Sequence, residues 1–194
     1  TAYRRQRQMC IRDRVFTEIY DAWNSDTFFS LTKAFELPTN NQIKTFSRGM
    51  RMKAALTIAL SHDAKLLILD EATAGMDVSG REHVLEILED YLGDDRAILI
   101  SSHISEDIEQ LATQLVFMRD GRIILKESKE VLLSQYGIID QPVEHFNISN
   151  EYLIATRRRN DRQISLVNNY QKVPDAQPLK TIDDATKIIM RGEV

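Results

Sequence analysis

The segment Leu66-Leu67-Ile68-Leu69-Asp70-Glu71 constrains the fold more than any other stretch of the chain. Four apolar residues run together without polar alternation, the pattern of a strand buried on both faces of a parallel sheet. Residues 97–100, Ala-Ile-Leu-Ile, repeat it. Between the two lies a helical pattern with Val84, Leu85, Leu88, Tyr91 and Leu92 on its apolar positions. Ser79 with Glu82 three residues later forms a capping-box signature at its start, and Gly93 is placed to stop it. Strand, helix, strand and helix in alternation predict an α/β layer with a mostly parallel sheet.

The flanking segments extend the pattern. Asp26 is expected to cap a helix carrying Phe28, Leu31, Phe35 and Leu37, which Pro38 ends. Residues 39–45 read as a polar loop. After Gly49, the residues Met52, Ala55, Leu56, Ala59 and Leu60 fall on one helical face. A helix through Ile108 and Leu111 follows the second strand. Residues 115–118 and 123–125 flank Asp120-Gly121, which supplies the positive φ angles of a type I′ hairpin. A short helix over 129–135 is expected to end near Gly137. Beyond Pro142 the texture changes: 143–148, 152–156 and 163–167 predict short strands, and 181–191 a closing helix started by Thr181 and Asp184. The chain therefore divides into residues 1–14, a body over 15–140, and a small α+β accessory element over 141–194.

Residues 1–14 carry five arginines against one aspartate and show no helical or strand period. They read as a disordered or foreign basic stub rather than as part of the fold. The whole chain of 194 residues has a net charge of −4, which argues against a general nucleic-acid binder. A hydrophobic fraction of 43% supplies a core, yet no run reaches the ~18 apolar residues of a membrane span. No apolar stretch follows the early arginines, so no secretory signal is expected. Cys10, the single cysteine, permits no internal disulfide and suits a reducing compartment. His62, His83 and His145 show no metal spacing, and Arg157-Arg158-Arg159 reads as a solvated strand end.

In open α/β sheets, ligands sit outside the carboxyl ends of the strands, where Asp70 and Glu71 fall. Adjacent carboxylates repel unless a cation or a proton lies between them. Mg²⁺ takes carboxylate and phosphate oxygens, so Asp70 is a candidate partner, direct or through water. Glu71 is then placed to orient and deprotonate an attacking water. His103, in Ser101-Ser102-His103, follows the next strand and is expected beside Glu71.

The order of these segments carries a resemblance. Ser47-Arg48-Gly49-Met50 opening a helix, Leu66–Glu71, Gly75-Met76-Asp77, and His103 after a strand together resemble the ATPase subunits of ABC transporters. The similarity is greatest to ABC-2-type exporters whose signature reads Ser-Lys/Arg-Gly-Met. It implies the following. The fold is a partial P-loop NTPase core with a helical signature subdomain. Ser47 and Gly49, with Arg48 and Met50 in the variable signature positions, contact the γ-phosphate of ATP held mainly by an opposite subunit. Asp70 is the Walker B aspartate that serves Mg²⁺, and Glu71 the catalytic glutamate. Asp77 is the D-loop aspartate at the dimer seam, and His103 the switch histidine. A helix N terminus with a glycine suits the signature role, since its free N–H groups and dipole favour an anion. Ala72 departs from the proline usual after the glutamate, and Ala74-Gly75-Met76-Asp77 varies the usual Ser-Gly/Ala-Leu-Asp.

A phosphate loop needs Gly-x-x-x-x-Gly-Lys-Ser/Thr. The first glycine here is Gly49, and none of the seven precedes a lysine. The sequence is therefore expected to be an N-terminally truncated subunit that lacks this loop, binds ATP poorly alone and does not hydrolyse it. The parent is expected to be an ATPase peripheral to the cytoplasmic face of the plasma membrane. Its partners would be a second ATP-binding subunit, identical or different, and transmembrane permease subunits, with no nucleic acid. Two other readings are the ATPase head of a DNA-repair or chromosome protein, and a non-hydrolysing binding fragment. The absence of sustained heptads over 15–45 disfavours the former.

Overall fold

A computed structural model describes residues 13–193. The basic stretch read at the N terminus lies, up to residue 12, outside the described residues. The chain forms two compact units, one ending at His103 and the other beginning at Ile104.

In the first unit, helical backbone over residues 13–19 (α1) precedes α2 (Ser25–Ala34), α3 (Arg48–Leu60), β1 (Leu66–Asp70), α4 (Val78–Tyr91) and β2 (Ala97–Ser101). α2, α3 and α4 each start at a side-chain cap, because the first N–H groups of a helix have no partner within it. Asn24, not Asp26, caps α2 by accepting from the Thr27 N–H at 2.9 Å, and Asp26 sits in the first turn. Asp77, not Ser79, caps α4 by accepting from the Gly80 N–H at 3.2 Å. The Ser79–Glu82 pattern thus lies inside the first turn rather than at the boundary. Phe28, Phe35 and Leu37 from the α2 segment are buried, as are Leu56 and Leu60 of α3 and Val84, Leu85 and Leu88 of α4.

β1 and β2 pair in parallel, with Leu66 opposite Ala97 and Asp70 opposite Ser101. A parallel pair requires a crossover, which α4 provides. The strands were expected to be buried on both faces, and they are not. Leu67 is 4% exposed, whereas Ile68 is 72% and Leu99 59% exposed. Side chains alternate across a strand, so one face is packed and the other stays open among the described residues.

The second unit contains α5 (Ser105–Leu111), β3 (Gln114–Arg119), β4 (Arg122–Ser128), α6 (Lys129–Gln135), β5 (Gly137–Pro142), β6 (Leu153–Arg159), β7 (Arg162–Val167), β8 (Gln177–Pro178) and α7 (Ile182–Arg191). β3 and β4 form the expected hairpin, with positive φ at both Asp120 and Gly121. The remaining strands form an antiparallel sheet in the order β6-β7-β5-β8. Residues 143–148, expected to form a strand, instead hold a short 3₁₀ turn at Val143–His145. The strand lies earlier, over Gly137–Pro142, so Gly137 both follows the end of the helix at Gln135, as expected, and opens a strand. A Cβ there would lie 2.5 Å from Gln177 O and from Tyr170 Cβ, so only glycine fits. α7 starts with a full capping box between Thr181 and Asp184. It buries Ile182, Ala185, Ile188 and Ile189 in a core with Leu115, Phe117, Leu132 and Leu166.

Candidate functional site

The parallel register brings the ends of β1 and β2 level. Ser101 Oγ donates to Asp70 Oδ1 at 2.5 Å. One residue further on, the Glu71 N–H bonds Ser101 O at 3.1 Å and Ser101 Oγ at 3.2 Å. Glu71 Oε2 then meets His103 Nδ1 at 2.5 Å. The two adjacent carboxylates therefore avoid facing each other: a hydroxyl satisfies one and an imidazole the other. The pair is open to solvent, with the His103 side chain 72% and the Glu71 side chain 34% exposed.

Glu71 adopts φ +52°, in the left-handed region. That conformation costs a residue with a Cβ roughly 1–2 kcal/mol. It turns the chain sharply out of β1, and the Ala74 N–H closes the turn on Glu71 O at 2.9 Å. Ala72, Thr73 and Ala74 are buried behind it, leaving the Glu71 side chain at the rim. Strain of this kind collects at binding and catalytic positions.

The second group of predicted residues forms its own cluster. Ser47 caps α3 by accepting from the Met50 N–H at 3.2 Å. A Cβ at Gly49 would stand 3.2 Å from Gly75 O, so the start of α3 is packed tightly on the Gly75–Asp77 loop. Gly75 has φ +78°, and the Arg48 stem lies where its side chain would be, with Cδ 3.0 Å from that point. Ser47, Arg48, Gly49, Met50 and Asp77 are thus collected around one helix start and one loop. Asp70, Glu71 and His103 gather at the strand ends. Among the described residues, no hydrogen bond or ion pair joins Ser47 or Gly49 to Asp70, Glu71 or His103. No group of three or more His, Cys, Asp or Glu there could hold a metal on its own. Asp70 would need water or phosphate oxygens to complete a Mg²⁺ shell.

Three features escaped the sequence reading. Ser101 as the partner of Asp70 was signalled only by its place one residue beyond a strand-like run. Asp77 as a helix cap was signalled by an N-cap residue type just before Val78. The left-handed backbone at Glu71 had no signal, since glutamate is not a residue chosen for it.

Comparison with known proteins gives a consistent result. The ABC transporter family model matches residues 4–74. The chain is 37% identical over 116 residues to the lantibiotic transport ATP-binding protein SrtF of Streptococcus pyogenes, covering 60% of this chain and 47% of SrtF. It is 32% identical over 120 residues to the linearmycin resistance ATP-binding protein LnrL of Bacillus subtilis, covering 60% of this chain and 38% of LnrL. The chain spans about half the length, or less, of these curated relatives. Its fold resembles the crystal structure of a cobalt transport ATP-binding protein, with a TM-score of 0.54 at 19% identity over 75% of this chain and 53% of that one. The chain is thus similar in sequence, over part of its length, to ATP-binding proteins of ABC transporters.

Proposed function

We propose that this chain supplies the signature, Mg²⁺-facing and water-activating groups of an ATP-hydrolysing subunit of an ABC exporter. The observation that carries this reading is the Glu71–His103 contact at 2.5 Å, one residue beyond the Asp70–Ser101 hydrogen bond. The donor set suits a magnesium triphosphate. The start of α3 offers the Ser47 hydroxyl and helix-start N–H groups to an anion. Asp70 offers carboxylate oxygen at the rim of the parallel pair. Bound Mg²⁺ would offset the charge that develops on the phosphoryl oxygens.

The roles divide by position. Glu71 accepts a proton from water, and His103 holds the Glu71 carboxylate in place and donates toward the γ-phosphate. Ser47 and Gly49, flanked by Arg48 and Met50, close over a phosphate from the side opposite the water. Asp77 fixes the loop between the two clusters at a subunit seam. The sequence contains no Gly-x-x-x-x-Gly-Lys loop. Its Ser47 end therefore acts on a nucleotide whose phosphates another segment or subunit cradles. The partners proposed are a second ATP-binding subunit and permease subunits, at the cytoplasmic face of a membrane. No described helix is long and apolar enough to cross a membrane itself.

The test has two arms. This chain alone should give no Mg-ATP-dependent thermal shift and no turnover above background. In a polypeptide that also carries the lysine loop, Glu71→Gln should lower turnover by ~10²–10⁴ while ATP stays bound. Undiminished turnover in that variant removes Glu71 as the base, and turnover by the isolated chain removes the need for a second phosphate cradle.

A further inference from the structure

Gly80 lies in the first turn of α4, and the space beside it is occupied from two sides. A Cβ at this position would stand 2.6 Å from Asp77 Oδ1 and 3.5 Å from Lys53 Nζ, with Lys53 Cε at 3.7 Å. Both charged groups lie against the same point, so at most ~6 Å separates ammonium from carboxylate, a range at which opposite charges interact appreciably near a protein surface. Lys53 belongs to α3, one and a half turns beyond the Ser47 cap. Its Nζ also lies 5.9 Å from the centroid of the Phe35 ring, and His83 of α4 meets the same ring edge-on at 5.6 Å. The ammonium is thus held between an aromatic platform and a gap left by a missing side chain.

A cation at this place needs a reason. The N-terminal end of a helix carries partial positive charge, so a lysine beside the first turn of α4 is disfavoured unless an anion stands between. The Asp77 carboxylate is that anion, and it already accepts from the Gly80 N–H at 3.2 Å.

We propose that Lys53 is a positioning residue. Seated between Phe35 and Gly80, its ammonium holds the Asp77 carboxylate on the α4 start and so ties the helix begun at Ser47 to the Gly75–Asp77 loop. Glycine at position 80 leaves the room this requires. The contacts of Gly49 and Arg48 with Gly75 lock the other end of the same interface. A displacement imposed on Ser47 is therefore passed to Asp77 through two points rather than one. The consequence for catalysis rests on the function proposed above, but the coupling itself does not.

Amide hydrogen exchange on this chain, without nucleotide, separates the two. The Gly80 N–H is protected by the Asp77 side chain, whereas the Arg81 N–H bonds the Asp77 backbone carbonyl at 3.0 Å and reports the helix itself. Lys53→Met should speed exchange at Gly80 by about three- to fivefold, the scale of weakening one side-chain cap. Arg81 should be unaffected, and Lys53→Arg should restore the slow rate. If Lys53→Met does not fold, Phe35→Leu removes the platform under the ammonium and is read in the same way. An unchanged Gly80 rate, an equal rise at Gly80 and Arg81, or no restoration by arginine overturns the proposal. None of these outcomes bears on ATP hydrolysis, so the ATP assay stands or fails separately.

Discussion

At the scale of single residues, Glu71 shows fold and site in opposition. Its left-handed backbone costs roughly 1–2 kcal/mol, while its exposed pairing with His103 returns only ~0–1 kcal/mol. Glu71→Gly should therefore leave the thermal midpoint of this chain unchanged or slightly higher, although it removes the proposed base. A clear fall in the melting temperature would show that the carboxylate stabilises the fold. Tyr136 makes a different residue-level case. It is buried, donates to Glu127 Oε2 at 3.3 Å, and its phenol is pushed above the ordinary 10.0, first by burial and then by the Glu127 charge. A group with a raised folded pKa contributes stability below the unfolded value that is lost as pH rises through the folded one. Alkaline melting of the second unit should therefore steepen above about pH 10, and Tyr136→Phe should flatten that loss.

At the scale of elements, helix starts dominate. Asp77→Ala should cost about 1 kcal/mol by removing the acceptor for Gly80, and Thr181→Ala a similar amount by opening the α7 box. Denaturant melts of each variant check the two values. Burial sets larger costs: Leu88, fully buried in α4, should lose ~2–5 kcal/mol on Leu88→Ala. Much at this scale was legible. Thr181 with Asp184 announced the α7 box, and Asp120-Gly121 announced the hairpin turn, because those residue types favour those geometries. The errors have the same origin. Asp26 and Ser79 are cap-type residues one or two places inside helices that other cap-type residues, Asn24 and Asp77, begin. A competition between neighbours is decided by tertiary fit, which local pattern does not contain. Residues 143–148, expected to form a strand, hold a short 3₁₀ turn at Val143–His145 instead.

At the scale of the whole molecule, the meeting of Glu71 with His103 was legible because strands joined by one crossover helix usually pair. What fails at this scale is the burial of the sheet. A continuous apolar run implies cover on both faces, yet Ile68, Leu66 and Leu99 stand open. Exposed apolar strand surface favours self-association. The apparent molecular mass of this chain by light scattering should therefore rise with concentration, and Ile68→Lys should suppress the rise without lowering the melting temperature.

The pairing of Asp70 with Ser101 has one more consequence, for which kinds of genetic change the site tolerates. Substituting Leu67 by another aliphatic residue leaves every downstream side chain pointing as before. Removing one codon among residues 66–69 reverses the direction of all that follow in the strand, swinging Asp70 away from the hydroxyl it meets. In a mutational scan scored for ATP turnover of a polypeptide that joins this chain to a lysine loop, single-residue deletions there should be null where conservative replacements survive.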